Sequence, residues 1–142
     1  MAKAAVIYWT GTGNTEQMAE LIAEGIKEAG SEAEVLQVSD TDVDSALAFD
    51  ALALGCPAMG DEELEDGEFA PFYDELKEKL GDKPVVIFGS YSWNDGEWMQ
   101  KWQDDAKDAG LNLKADGLAV FEAPDEDDEV ESCKQLGSKL VG

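Results

Sequence analysis

Lys3-Ala-Ala-Val-Ile-Tyr8-Trp-Thr-Gly-Thr-Gly-Asn-Thr15-Glu-Gln-Met18 holds the reading that decides the fold. Its first part, Lys3–Tyr8, is a short, nearly continuous apolar run, as in a strand covered on both faces. Trp9–Thr15 then breaks the run with two glycines and three threonines. Beyond it Met18, Ile22 and Ile26 recur every four residues with Leu21 alongside, and Ala29-Gly30 closes a helix. A strand that passes through a glycine turn directly into a helix is the first step of a mainly parallel α/β sheet.

The rest of the chain repeats that step. Further strands are expected at Ala33–Val38, Ala51–Gly55, Pro84–Gly89 and Gly117–Ala123, the first of these polar enough to be an edge. Apolar stripes at Phe69–Leu80, Trp98–Ala109 and Val130–Leu140 predict the helices between and after them, and Asp42–Ala48 predicts a helical turn. No repeat or Pro-rich linker divides the chain, so residues 1–142 read as one domain. The pattern is a doubly wound five-strand sheet with helices on both faces. Such folds bind ligands outside the carboxyl ends of their strands, which directs attention to the segments after Tyr8, Gly55 and Gly89.

Composition narrows the chemistry. Ten Lys face 33 Asp and Glu, for a net charge of −23. Such a surface repels nucleic acid and anionic membranes and favours basic protein partners or a salt-rich solvent. The chain contains no His and no Arg. Without His there is no Ser-His-Asp or Cys-His nucleophile and no His-based metal site. Without Arg there is no bidentate phosphate clamp. Cys56 and Cys133 form no CxxC pair and read as reduced, partly buried thiols. No metal site is expected. The start of the chain shows no charged, apolar leader, and a cytoplasmic protein is the expectation.

In Thr10-Gly11-Thr12-Gly13-Asn14-Thr15, glycines let backbone N–H groups turn inward while hydroxyls and an amide gather at the positive end of a helix dipole. Singly these residues would read as a helix cap with spare hydroxyls; together they form an anion cradle. A nucleotide triphosphatase loop needs a Lys, and none occurs between Lys3 and Lys27. The dinucleotide fingerprint would need Gly where Glu16 stands. What remains is one phosphate monoester held by neutral donors.

After the third strand, Pro57-Ala58-Met59-Gly60-Asp61-Glu62 offers a polarizable side chain and a conformationally free peptide. After the fourth, Ser90-Tyr91-Ser92-Trp93-Asn94-Asp95-Gly96 places aromatic residues in a polar loop, suited to stacking on a planar ligand. A phosphorylated planar molecule satisfies all three segments.

With these residues in place the chain resembles the short-chain flavodoxins over essentially its whole length. The motifs that carry the resemblance are the loop at 10–15, Ala-Met-Gly-Asp-Glu at 58–62 and Gly-Ser-Tyr-x-Trp at 89–93. The resemblance implies strand order 2-1-3-4-5 and FMN at the switch point. Thr10, Thr12, Asn14 and Thr15, with the N–H groups of Gly11 and Gly13, should hold the phosphate. Trp93 should cover the outer ring face and Met59 the inner side, with Glu62 near N3. Pro57, Ala58, Ser90, Tyr91, Ser92 and Gly96 should line the pocket. Thr10 stands where Ser is frequent, and Ser92 and Asn94 replace common glycines.

The function so implied is a low-potential one-electron carrier, not an enzyme. It would cycle FMN between semiquinone and hydroquinone and serve basic-surfaced flavodoxin- or ferredoxin-dependent oxidoreductases as a monomer. One carboxylate ~10 Å from the reduced ring at an effective dielectric of ~20 opposes its charge by about 1.7 kcal/mol. For a one-electron step that is roughly 70 mV.

An FMN-dependent reductase or a quinone or NAD(P)H oxidoreductase is the alternative, but it usually draws on cations or a second subunit. A response-regulator receiver domain would need acids after the first strand, Asp after the third and Lys after the fifth. The chain has Trp9-Thr10, Cys56-Pro57 and Phe121-Glu122 instead. Asp40, Asp42 and Asp44 start like a calcium loop, but Ser45 and Ala51 break the pattern. The resemblance also implies that the Gly60 carbonyl turns toward flavin N5 on one-electron reduction. Replacing Gly60 with a β-branched residue should therefore lower the semiquinone yield in a reductive titration, and an unchanged yield would refute the flip.

Overall fold

A computed structural model of the chain describes residues 3–9, 13–57, 67–91, 97–121, 124 and 126–141. In chain order the elements are β1 (Lys3–Tyr8), α1 (Asn14–Glu28), β2 (Glu32–Gln37), a 3-10 turn (Val38–Asp40), α2 (Val43–Ala46) and β3 (Ala51–Gly55). There follow α3 (Phe69–Lys77), β4 (Pro84–Tyr91), α4 (Glu97–Asp108), β5 (Asn112–Leu113), β6 (Leu118–Phe121) and α5 (Asp127–Val141). The sheet order is β2-β1-β3-β4-β5, with β6 also on β4, and every pairing is parallel.

Side chains of a strand point alternately to its two faces, and here both faces are dry. Ala4, Val6 and Tyr8 of β1 join Ala51 and Ala53 of β3 and Val86 and Phe88 of β4 beneath α1 and α5. Ala5 and Ile7, Leu52 and Leu54, and Val85 and Ile87 form the other face, beneath α2, α3 and α4. Trp98, Tyr73 and Phe69 on this face and Phe88 on the other are among the largest fully buried side chains. Burying a side chain of that class contributes about 1.5–3 kcal/mol.

Local chemistry sets the ends of the elements. Gly30, at φ 94°, turns the chain out of α1 while the Ser31 N–H returns to the Ile26 carbonyl at 3.2 Å. Asp42 caps α2 by accepting the Ser45 N–H at 2.8 Å, which holds its carboxyl below the ordinary range. On the far side of the sheet, Asp105 of α4 accepts the Tyr73 hydroxyl at 2.9 Å and pairs with Lys77 at 3.0 Å, tying α3 to α4.

The expected architecture and strand order are present, with three local differences. β2 runs one residue earlier than expected, and Val38 opens the 3-10 turn. β4 continues past Gly89 through Tyr91, because Ser90 and Tyr91 find partners in Val120 and Phe121 of β6. The last strand position is filled twice: Asn112–Leu113 pairs with Pro84–Val85, the chain leaves at 114–117, and Leu118–Phe121 returns to pair with Phe88–Tyr91. A two-residue strand between Leu111 and Lys114 leaves no apolar run to read.

Two glycines bring α1 and α5 into backbone contact. A Cβ on Gly25 would overlap the Lys134 carbonyl, and one on Gly137 would overlap that of Ile22. Alanine gains up to about 1 kcal/mol in helix propensity. Overpacking against a backbone costs about 1–3 kcal/mol and should win. Gly25→Ala and Gly137→Ala are each expected to lower the urea midpoint; a raised midpoint would show that the two helices have room to separate.

Candidate functional site

The site forms where β1, β3 and β4 end. At the end of β1 the Trp9 N–H donates to the Gly55 carbonyl at 3.0 Å, holding the departing chain against β3. Gly13 is the N-cap of α1 at φ 92°, a left-handed conformation costing other L-residues about 1–2 kcal/mol. As glycine, this N-cap supplies no side-chain oxygen of its own to the first turn. The start of this 15-residue helix thus presents backbone N–H groups and a positive dipole end. Asn14 is half-buried and Thr15 fully buried.

Thr15 meets β4. Its Oγ1 lies 3.2 Å from the Ser90 Oγ, linking the first turn of α1 to β4, a strand that does not neighbour β1 in the sheet. Pro57, half-buried, follows β3. Tyr91 is half-buried on the opposite face from Ser90, its ring 5.7 Å from that of Trp98. The structure therefore gathers Gly13, Asn14, Thr15, Pro57, Ser90 and Tyr91 around the carboxyl ends of three strands. The other expected contacts, Thr10, Gly11, Thr12, Ala58, Met59, Gly60, Asp61, Glu62, Ser92, Trp93 and Gly96, lie outside the described residues.

Some supporting residues were not evident in the sequence as parts of the site. Trp98 reads as a core residue, yet its indole N–H donates to the Cys56 carbonyl at 3.2 Å and fixes the chain as it leaves β3. A Cβ on Gly89 would overlap that same carbonyl, so glycine is required for β3 and β4 to approach here. A Trp at the start of the helical stripe, nine residues after the strand glycine Gly89, is the available signal. Glu16, in the first turn of α1, accepts the Tyr8 hydroxyl at 3.1 Å. Burial first, and that carboxylate second, push the Tyr8 phenol up to about 12.

The donor set fits a phosphate monoester: helix N–H groups, hydroxyls and an amide, with no cation required. The Flavodoxin family profile matches residues 6–135. The chain belongs to the flavodoxin family. It is 45% identical to a flavodoxin of Clostridium beijerinckii over 96% of this chain and 97% of that protein. It is 46% identical to a flavodoxin of Megasphaera elsdenii over 93% of each. The solution structure of the two-electron reduced Megasphaera elsdenii flavodoxin superimposes with a TM-score of 0.86, covering 97% of this chain and 98% of that one. The cofactor of this chain is accordingly FMN, and its role is electron transfer between redox partner proteins rather than turnover of a substrate. The reductase alternative is not favoured, because these relatives are flavodoxins along nearly their full lengths.

Because the folded-state pKa of Tyr8 lies above its ordinary 10.0, its protonated form contributes stability that is complete below pH 10. That contribution is lost as pH rises toward about 12. Between those limits the urea stability of the parent chain should fall more steeply than that of Tyr8→Phe. Parallel profiles would show that the buried phenol is not linked to folding.

Proposed function

We infer that this chain, one domain over residues 1–142, is a low-potential carrier working between the one- and two-electron reduced levels of its flavin. The observation that carries this reading is the neutral phosphate seat: Gly13 at the helix start and the buried Thr15–Ser90 pair, in a chain with neither Arg nor His. Such a seat holds a phosphate without bringing a compensating cation near the ring. The surrounding charge of −23 then opposes reduction unrelieved.

FMN, when bound, supplies the one-electron chemistry. The residues of this chain bind and orient it. Thr10, Thr12, Asn14 and Thr15, with the N–H groups of Gly11 and Gly13, take the phosphate. Met59 and Trp93 enclose the ring, and Pro57, Ala58, Tyr91, Ser92 and Gly96 line its pocket, with Ser90 paired to Thr15. Gly60 supplies the conformational freedom that lets its carbonyl meet a proton at the ring nitrogen, while Asp61 and Glu62 keep negative charge close by.

Among the described residues no helix is long and apolar enough to cross a membrane. The proposed setting is the cytoplasm, and the acidic surface suits a monomer that meets oxidoreductases through basic docking surfaces. The test is an anaerobic reductive titration of the FMN-loaded chain followed by visible absorption. The expected course is two separated one-electron steps, the second demanding a strong reductant. A single two-electron step at an ordinary potential would overturn the proposal.

A further inference from the structure

We propose that Ser90 is a positioning residue for the phosphate seat, acting through Thr15 rather than at the flavin ring. The proposal rests on the reading of the α1 N-terminus as the FMN phosphate site. Thr15 is 0% and Ser90 4% exposed, and they are the two polar residues of the buried class among those described. Burying a hydroxyl is unfavourable unless it is paired, and these two pair with each other at 3.2 Å.

Strand alternation decides which side Ser90 serves. Val86 and Phe88 of β4 lie beneath α1 and α5, and Ser90 continues that row. Tyr91 falls on the other face, packed with the Trp98 group. Ser90 and Tyr91, adjacent in the sequence, thus face opposite sides of the sheet. The link from α1 to β4 passes over the end of β3, where Gly55 carries no side chain and the Phe88 ring occupies the space.

The proton count gives the pair its role. Two hydroxyls hold two protons, and the bond between them uses one. With Ser90 donating, the Thr15 proton is left for an anion at the helix start. A hydroxyl that accepts one hydrogen bond becomes a better donor in the next. In a seat without Arg or His, phosphate affinity depends on how well such neutral donors are aimed and polarised. Ser90 also ties the phosphate seat to the strand that leads into the aromatic loop.

The test uses apoprotein of the full chain titrated with FMN and with riboflavin, which lacks the phosphate, by quenching of flavin fluorescence. Ser90→Ala is expected to reduce the ratio of FMN to riboflavin affinity about tenfold. Thr15→Ala should reduce it at least as far, and the double variant no further than Thr15→Ala alone. Should Ser90→Ala not fold, Ser90→Cys, of similar shape but a weak donor, carries the same expectation, and Ser90→Thr should restore the ratio. Equal losses for the two flavins would place Ser90 at the ring, and additive losses in the double variant would uncouple it from Thr15; either overturns the proposal. A parent chain with no preference for FMN over riboflavin would instead overturn the phosphate seat itself.

Discussion

The structure depends on one constraint: β1, β3 and β4 are buried on both faces at once. In a half-exposed sheet, a one-residue slip exchanges an apolar face for a polar one. Here a slip would exchange Ala4, Val6 and Tyr8 with Ala5 and Ile7, putting isoleucine where valine or a phenol now fits, against helices packed to fit them. The observed register, with Ala4 opposite Ala33 on one side and Ala51 on the other, sets where each strand stops. Because all the strands are parallel, those stops fall at one end of the sheet, and the loops that carry the chemistry are brought together there.

The site is built at that end with neutral groups. A chain with 33 carboxylates and ten lysines has few cations to spare, and several of them serve the scaffold. Lys77 joins α3 to Asp105 of α4, Lys134 of α5 reaches Glu28 of α1, and Lys3 lies over the Phe49 ring. At Lys77 burial opposes the charge, but Asp105 and Asp74 outweigh it and raise the ammonium pKa. The seat at Gly13–Thr15 instead draws on a helix dipole and hydroxyls, and the one carboxylate in its first turn, Glu16, is engaged by Tyr8. In the proposed function, a surface of strong negative field and a phosphate seat of neutral donors are two aspects of one electrostatic design, suited to a reductant.

Close approach without side chains recurs wherever the layers meet. Gly25 and Gly137 let two helices touch, Gly89 lets β4 pass the Cys56 carbonyl, and Gly55 gives the Phe88 ring its place. These contacts leave little trace in a sequence. A glycine within a helical stripe, such as Gly25, looks like a weak point until its neighbour in space is known. The buried cysteines show the same limit: Cys133 lies wholly inside the α1–α5 layer, where burial pushes its thiol up to about 12 and removes the thiolate needed for reactivity.

By itself, the sequence determined the order of strands and helices, the edge character of β2 and the exclusion of Arg- and His-dependent chemistry, and it supplied the reading of the first loop as a phosphate cradle. Those properties are local: periodicity, glycine and hydroxyl content, and the absence of a residue type can all be read along the chain. Only the tertiary structure decided that β4 runs on to Tyr91, that the last strand is split around 114–117, and that Ser90 belongs with Thr15 and not with Tyr91. Each of these turns on a partner far away in the chain. Val120 and Phe121 extend β4 by hydrogen bonding, and the pleat sends alternate side chains to opposite faces. A hydroxyl 75 residues distant meets another because β1, β3 and β4 end together.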